Sequence, residues 1–255
     1  MSFNLGNGLS VTDPNYSSEL NYQMFDTASG FPSTVDKYEF SWTWRVVAVD
    51  GTPRTPETVG TTTGHILYTV LDTPQSPMSE PWTEVLEKAC RWADGASSVS
   101  EIITGITSGA YNGNFKNYSA GVTRCSPPNM YLTNLFNDTW ADCRDMSAVI
   151  QIFSNALGVS YYYVGYQRIN GPFRTKSIDP IGSPAWQTIT WAFHQVGWYN
   201  NSVYDAALRL DESSARIPMG EGINGSYKDD LYDATHPDTV RWDPQGASYL
   251  SGTVY

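Results

Sequence analysis

Cys143, His194 and Asp205 are the residues of this 255-residue chain whose types and spacing could do covalent chemistry. Cys143 opens a segment in which Met146 and Ile150 recur at helical spacing. The first turn of a helix carries partial positive charge, which favours a thiolate over a thiol. Taken alone, Cys143 is more simply explained as a small buried hydrophobe, so its chemistry depends on a nearby base.

A base and its orienting carboxylate are predicted on a β-hairpin. Asp205 follows His194 by 11 residues, and Asn200 and Asn201 form a turn signal between them. A hairpin would place the two side chains on neighbouring strands. An imidazole can then accept a thiol proton while a carboxylate orients its other nitrogen. The chain has only three histidines, so few bases are available.

The elements that must position these residues follow from hydrophobic periodicity. Helices are predicted over residues 81–93, 97–110 and 142–157, with Ser98 as an N-cap and Gly158 as a helix stop. Strands are predicted over residues 38–46, 65–71, 159–166, 188–196 and 202–210, with residues 50–64 as a connection. Strands, then helices, then strands are typical of an α+β fold with an antiparallel sheet.

The motifs around the cysteine resemble those of one known family. The run Asp142-Cys143-Arg144-Asp145 opens the helix, and Leu157-Gly158-Val159 ends it before a strand. This pattern, over about residues 82–211, resembles the transglutaminase-like superfamily, which is papain-like in the broad sense. The resemblance implies a transglutaminase-like core, with the cysteine-bearing helix packed on an antiparallel β-sheet. It also implies that Cys143 is the nucleophile, His194 the general base and acid, and Asp205 the orienting carboxylate.

Two positions depart from the family pattern. Ala141 stands where a glycine often precedes the cysteine, and the interval between the histidine and the aspartate is short. Asp211 is therefore the alternative third member. Asp145 is better explained as structural, because a carboxylate in the first turn complements the helix dipole.

The implied chemistry is acyl transfer through a cysteine thioester on protein or peptide amides, most simply hydrolysis by a cysteine peptidase or amidase. One alternative is a protein-crosslinking transglutaminase. The other is a catalytically silent binding or structural module with the same fold. An oxyanion needs donors beyond the backbone N–H of Cys143, and the candidates are Trp140, Asn134 and Asn137.

The domain organisation is predicted as one catalytic unit with extensions. Residues 1–36 are expected to be an irregular arm, 37–80 a β-rich extension packed on the core, 81–211 the catalytic core, and 212–255 a loop-rich segment of the same domain. No metal ligand pattern or cofactor motif is evident, so neither is expected.

The composition limits the classes of molecule that the chain is expected to bind. The net charge is −11, with 16% charged and 14% aromatic residues, which argues against nucleic acid and anionic membranes as partners. No apolar run is long enough for membrane insertion. The composition is typical of an exported protein, although residues 1–18 lack a signal-peptide pattern. Cys90 and Cys125 could form a disulfide or stay reduced.

Overall fold

The computed structural model describes residues 2–6, 9–12, 32–46, 57–183 and 185–255. Within them the chain forms five helices, α1 to α5: Thr83–Trp92, Val99–Asn112, Leu132–Asn137, Cys143–Ala156 and Ser226–Leu231. The strands β1 to β8 are Ser2–Gly6, Leu9–Thr12, Asp36–Val46, Glu57–Thr69, Asn117–Tyr118, Cys125–Ser126, Asn129–Met130 and Trp140–Ala141. The strands β9 to β15 are Val164–Arg174, Asp179–Pro180, Thr190–Tyr199, Ser202–Tyr204, Leu208–Arg209, Met219–Glu221 and Asp243–Pro244.

A five-stranded antiparallel sheet, in the order β14-β12-β11-β9-β15, forms the centre of the molecule. A second antiparallel sheet, in the order β2-β1-β3-β4, contains the N-terminal strands. Helix α4 packs on β9 and β11 of the central sheet, and α1 and α2 pack on α4. The architecture is therefore mixed helix and sheet, and it agrees with the α+β class predicted from the sequence.

Helix α4 is buried along nearly its whole length. Every residue from Asp145 to Ala156 is buried, and Arg144 is the one helical residue that is partly exposed. A helix that is apolar on most sides belongs to a protein interior, where neighbours cover all its faces. At its C-terminal end Gly158 has φ +95°, and a Cβ there would lie 2.3 Å from the backbone oxygen of Asp72. Glycine is therefore required where the chain leaves the helix.

Two hydrophobic clusters stabilise this arrangement. The larger contains α1, α2 and α4, with Phe153 and Ile150 among its buried side chains. The smaller contains Phe173, Trp191 and Val196 from the sheet and Tyr227 and Leu231 from α5. Because side chains alternate between the faces of a strand, β11 contributes to both clusters. The C-terminal segment is tied to the larger cluster by Gln151, whose side chain donates to the Leu250 carbonyl at 2.8 Å and accepts from its N–H at 2.9 Å.

The three long helices lie where periodicity and capping predicted them. Ser98 caps α2 by accepting from the Glu101 N–H, and Asp142 caps α4. The strand predicted over residues 65–71 is observed only as far as Thr69, as the end of β4, which begins earlier, at Glu57. The end of the expected connection, residues 57–64, is thus strand, while residues 47–56 lie outside the described part of the chain.

Three other expectations differ from the structure. The predicted irregular arm, residues 1–36, contains β1 and β2, which pair with each other, and β1 also pairs with β3; residues 1, 7–8 and 13–31 lie outside the described part. The strand expected at residue 159 begins at Val164, because Ser160 and Tyr163 close a turn first. The strand expected over residues 202–210 is divided into β12 and β13, because the Asp205 side chain bonds the Ala207 N–H and bends the chain.

No helix in the described part of the chain combines the length and the hydropathy needed to cross a bilayer.

Candidate active site

Cys143 is the first residue of α4, directly after the capping residue Asp142. The Asp142 carboxylate accepts from the N–H groups of Arg144 and Asp145, and the Asp145 carboxylate accepts from the Asp142 N–H, which completes a capping box. The thiol therefore lies at the positive end of the helix dipole, beside first-turn amides that have no acceptor within the helix. The residue is only 4% exposed.

His194 lies on β11, fully buried beneath Trp191. The two rings stack with centroids 4.3 Å apart and planes at 9°. Residues three apart on a regular strand point to opposite faces, but the pairing of β11 with β9 shifts register between Trp191 and Phe193, where β9 carries one extra residue. The stacking of the two rings beside this shift fixes the plane of the imidazole.

Asp205, which directly follows β12, contacts the histidine. Its Oδ2 lies 2.8 Å from His194 Nε2 and accepts from the Tyr227 hydroxyl at 2.8 Å. Its Oδ1 accepts from the Ala207 N–H at 2.9 Å. The carboxylate is 1% exposed, so these three partners replace the water that an exposed carboxylate would have. The hairpin interpretation of residues 194–205 placed these two side chains together, and the structure has them in contact.

The electrostatics favour a charged imidazole. Burial alone would lower the pKa of His194, but the Asp205 carboxylate and the Cys143 side chain outweigh it and raise this pKa to about 10. With Nε2 directed at Asp205, Nδ1 is buried and has no hydrogen-bond partner. Nδ1 is therefore the nitrogen left to exchange a proton with the thiol.

A cleft of about 330 Å³ opens onto Cys143. Its lining residues come from the segment after β5, from the start of α4 and from the start of β11: Tyr118, Ala120, Gly121, Asp142, Cys143, Arg144, Thr190, Trp191, Ala192 and Phe193. Two aromatic rings, Tyr118 and Trp191, lie 6.2 Å apart in this lining. A substrate carbonyl that enters the cleft would meet the sulfur at its floor.

Asp145 ties the loop of residues 123–125 to the first turn of α4. Its Oδ1 accepts from the N–H groups of Arg124 and Cys125, at 2.6 and 2.7 Å, and from the Thr123 hydroxyl at 3.1 Å. Burial raises the pKa of Asp145, and these hydrogen bonds oppose that effect. The structural role predicted for this carboxylate is what the contacts show, because it ties the loop to the head of the helix.

Helix α4 and strand β11 are held in register by one buried polar contact. The Gln195 side-chain amide donates to the Ser147 hydroxyl at 2.7 Å. Gln195 neighbours His194 in the sequence, and Ser147 lies one helical turn beyond Cys143. Because both partners are buried, this bond resists sliding of the helix along the strand and so fixes the distance between sulfur and imidazole.

The sequence did not indicate two further residues of the site. Tyr227 reaches Asp205 from α5, within the acidic, aromatic stretch of the C-terminal segment. Tyr118 lines the cleft, and its hydroxyl interacts with the Trp191 side chain. Burial raises the pKa of Tyr118, and the charges of Cys143 and Asp142 raise it further, so the hydroxyl is a proton donor at neutral pH. The one signal in the sequence for either residue is that tyrosine combines an apolar ring with a polar hydroxyl.

The oxyanion candidates named from the sequence do not meet at the cleft. Asn134 and Asn137 line a separate depression together with Arg124 and Tyr131. Trp140 is 47% exposed and is not part of the cleft lining. Asp211, the alternative third member, is bonded to Ser213 and Ser214 in an exposed turn and does not contact His194.

The other two cysteines are free and buried, so no Cys90–Cys125 disulfide is present. Burial raises the pKa of each of these two thiols to about 12. Within the described residues no group of three His, Cys, Asp or Glu side chains could hold a metal ion. Comparisons with protein-family models, with curated proteins and with solved structures find no match to this chain.

Proposed function

We propose that this protein is a thiol-dependent acyl-transfer enzyme of transglutaminase-like type that acts on amide bonds of proteins or peptides, most simply by hydrolysis. One observation carries the proposal. A buried imidazole lies between a carboxylate 2.8 Å from its Nε2 and a cysteine at the head of a helix, at the floor of a cleft. This is the arrangement that an activated cysteine nucleophile needs.

The reaction begins from a thiolate–imidazolium pair, in which His194 Nδ1 already holds the proton that the Cys143 sulfur has given up. The thiolate attacks the amide carbonyl, and the carbonyl electrons move to oxygen. The Cys143 N–H and the Tyr118 hydroxyl donate to that oxyanion. His194 then gives its proton to the leaving amine as the C–N bond breaks, which leaves a thioester on Cys143.

Water resolves the thioester in the second half of the reaction. Nδ1 of His194 accepts a water proton, the hydroxide oxygen attacks the thioester carbonyl, and the sulfur leaves as a thiolate. Asp205 stays ionised throughout and holds the imidazole in one orientation. If an amine took the place of water, the same steps would crosslink two chains, and incorporation of a primary amine separates that outcome from hydrolysis.

The test is the pH dependence of iodoacetamide labelling at each cysteine, read by peptide mass spectrometry. We expect Cys143 to label well below pH 8.5, about where a free thiol ionises, and His194→Ala to abolish that reactivity. Cys90 and Cys125 are internal controls, since their pKa is raised to about 12 and they should label only after unfolding. If Cys143 labelled no faster than they do, the protein would be a silent module and the proposal would be wrong.

A further inference from the structure

A pair of arginines converges on one ring at the cleft. The Arg168 guanidinium lies 3.9 Å from the centroid of Phe193, and the Arg144 guanidinium lies 5.4 Å from the same centroid. Phe193 and Arg144 both line the cleft beside Cys143. Arg168 reaches the ring from β9, where it is paired with Gln195, so Arg168 and Phe193 are diagonal neighbours on one face of the sheet.

The two charges are not equivalent. Arg144 donates to the Asp142 carboxylate through Nε at 2.9 Å and through its terminal nitrogen at 2.6 Å, so its charge is balanced. Arg168 is exposed, and no carboxylate lies within ion-pair distance of it among the described residues. The nearby Asp243, on the strand next to β9, is paired with Arg241. Arg168 therefore holds one uncompensated positive charge over the Phe193 ring.

We propose that Arg168 recognises a carboxylate carried by the substrate close to the reacting amide. A guanidinium held 3.9 Å over the centroid of an aromatic ring is restricted in position, and its N–H groups match the two oxygens of a carboxylate. The net charge of the chain is −11, so this recognition is local and opposite in sign to the protein as a whole. The inference rests on the proposed function, because it assigns a substrate class to the same cleft.

The experiment compares two reagents that alkylate the same sulfur. Iodoacetate carries a carboxylate and iodoacetamide is its neutral counterpart, so the ratio of their rates at Cys143 measures attraction for the negative charge. We expect Arg168→Gln to lower this ratio by roughly three- to tenfold and to leave the iodoacetamide rate unchanged. Arg168→Lys, which keeps the charge but loses the planar fork, should lower it less.

Arg91→Gln is the matched control, since Arg91 is exposed on α1 and its loss changes the net charge equally. A ratio that is unchanged in Arg168→Gln, or that falls equally in both variants, would overturn the proposal. Failure of the proposed function is a separate result, because it appears as slow iodoacetamide labelling of Cys143 in the wild type.

An NMR titration gives a readout that does not need a reactive thiol. In Cys143→Ala, the Arg168 Nε–H resonance should shift with N-acetylglutamate amide and not with N-acetylglutamine amide. Absence of a shift would refute recognition of a carboxylate even if the thiol were inert. N-acetylglycine, titrated in parallel, shows whether a chain-terminal carboxylate or an acidic side chain is preferred, and either preference supports the proposal.

Discussion

Replacing Asp205 by asparagine tests the central contact of the site. In the wild type the pKa of His194 is raised from 6.5 to about 10. At 1.36 kcal/mol per pH unit, this rise favours the imidazolium by about 5 kcal/mol. Asp205 contributes most to this rise in pKa, whereas burial of the imidazole opposes the rise. Without the carboxylate, we expect the imidazole to be largely neutral at neutral pH.

Asparagine would also impose the wrong tautomer. Its oxygen can keep the bond from the Ala207 N–H, which turns its NH₂ group towards His194 Nε2 and Tyr227. Nε2 must then act as an acceptor, so the ring proton moves to Nδ1 and blocks proton uptake from the thiol. A comparable substitution in a serine-protease triad costs roughly 10⁴-fold in turnover, and we expect a loss of about 10²- to 10⁴-fold here.

The assay needs no natural substrate. Acylation of Cys143 by p-nitrophenyl acetate is followed by nitrophenol release, with Cys143→Ala as the blank. The pH profile of iodoacetamide labelling is measured on the same samples. Tyr227→Phe removes one hydrogen bond from Asp205 but keeps its charge, so it should cost less than tenfold by the loss of about one hydrogen bond. Asp211→Asn should have no effect, since that residue is bonded only within its own turn. Wild-type acylation in a folded Asp205→Asn protein, with an unchanged pH profile, would refute this account of the site.

The remaining predictions concern the oxyanion donor, the titration of His194 and the helix stop. Tyr118→Phe should slow p-nitrophenyl acetate acylation by about 10²-fold but leave iodoacetamide labelling within about twofold, because only acylation builds an oxyanion; equal loss in both assays would indicate a packing role. Since folding raises the pKa of His194 from 6.5 to about 10, its contribution to stability is complete below pH 6.5 and is lost as pH rises to about 10. Urea unfolding between these pH values should therefore show a decline in stability of a few kcal/mol, and a smaller decline in His194→Gln; equal declines would contradict the assignment. Gly158→Ala should destabilise by at least about 2 kcal/mol, from backbone strain and the clash with Asp72, whereas Gly95→Ala, at φ +77° in open space, should cost about 1 kcal/mol; similar thermal shifts in the two variants would count against the clash.

The parts of the site that are local in sequence could be predicted. Helix α4 follows from its apolar spacing and from Asp142 and Asp145, which form the capping box within four residues. The contact between His194 and Asp205 follows from the hairpin, because Asn200 and Asn201 adopt φ values of 48° and 60°, as a tight two-residue turn requires. Both inferences use only short-range rules, so they can be made without knowledge of the tertiary fold.

The parts that depend on long-range packing could not be predicted. Tyr118 precedes Cys143 by 25 residues, and Tyr227 follows Asp205 by 22. No periodicity connects residues across such intervals, and a tyrosine that bonds a carboxylate looks like one that fills a core. The register shift beside Trp191 and His194 is likewise invisible in an alternating pattern, because the extra residue lies on β9 and leaves the pattern of β11 unchanged. Asn134 and Asn137 are near the cysteine only in sequence, because α3 carries both of them to a separate depression.

The distribution of unpaired polar atoms bears on whether the site is catalytic or silent. Buried side-chain atoms without a partner are uncommon, because each costs about 1–3 kcal/mol. One of them, His194 Nδ1, lies at the cleft, where the Cys143 side chain helps to raise the pKa of His194. Asp205, by contrast, has a partner for each oxygen. A module kept only for packing could replace the buried His194–Asp205 pair by apolar side chains at little cost. The buried His194–Asp205 pair, with one imidazole nitrogen left free for the thiol, lowers the stability of the fold relative to such apolar side chains. A site that transfers protons would require that loss of stability.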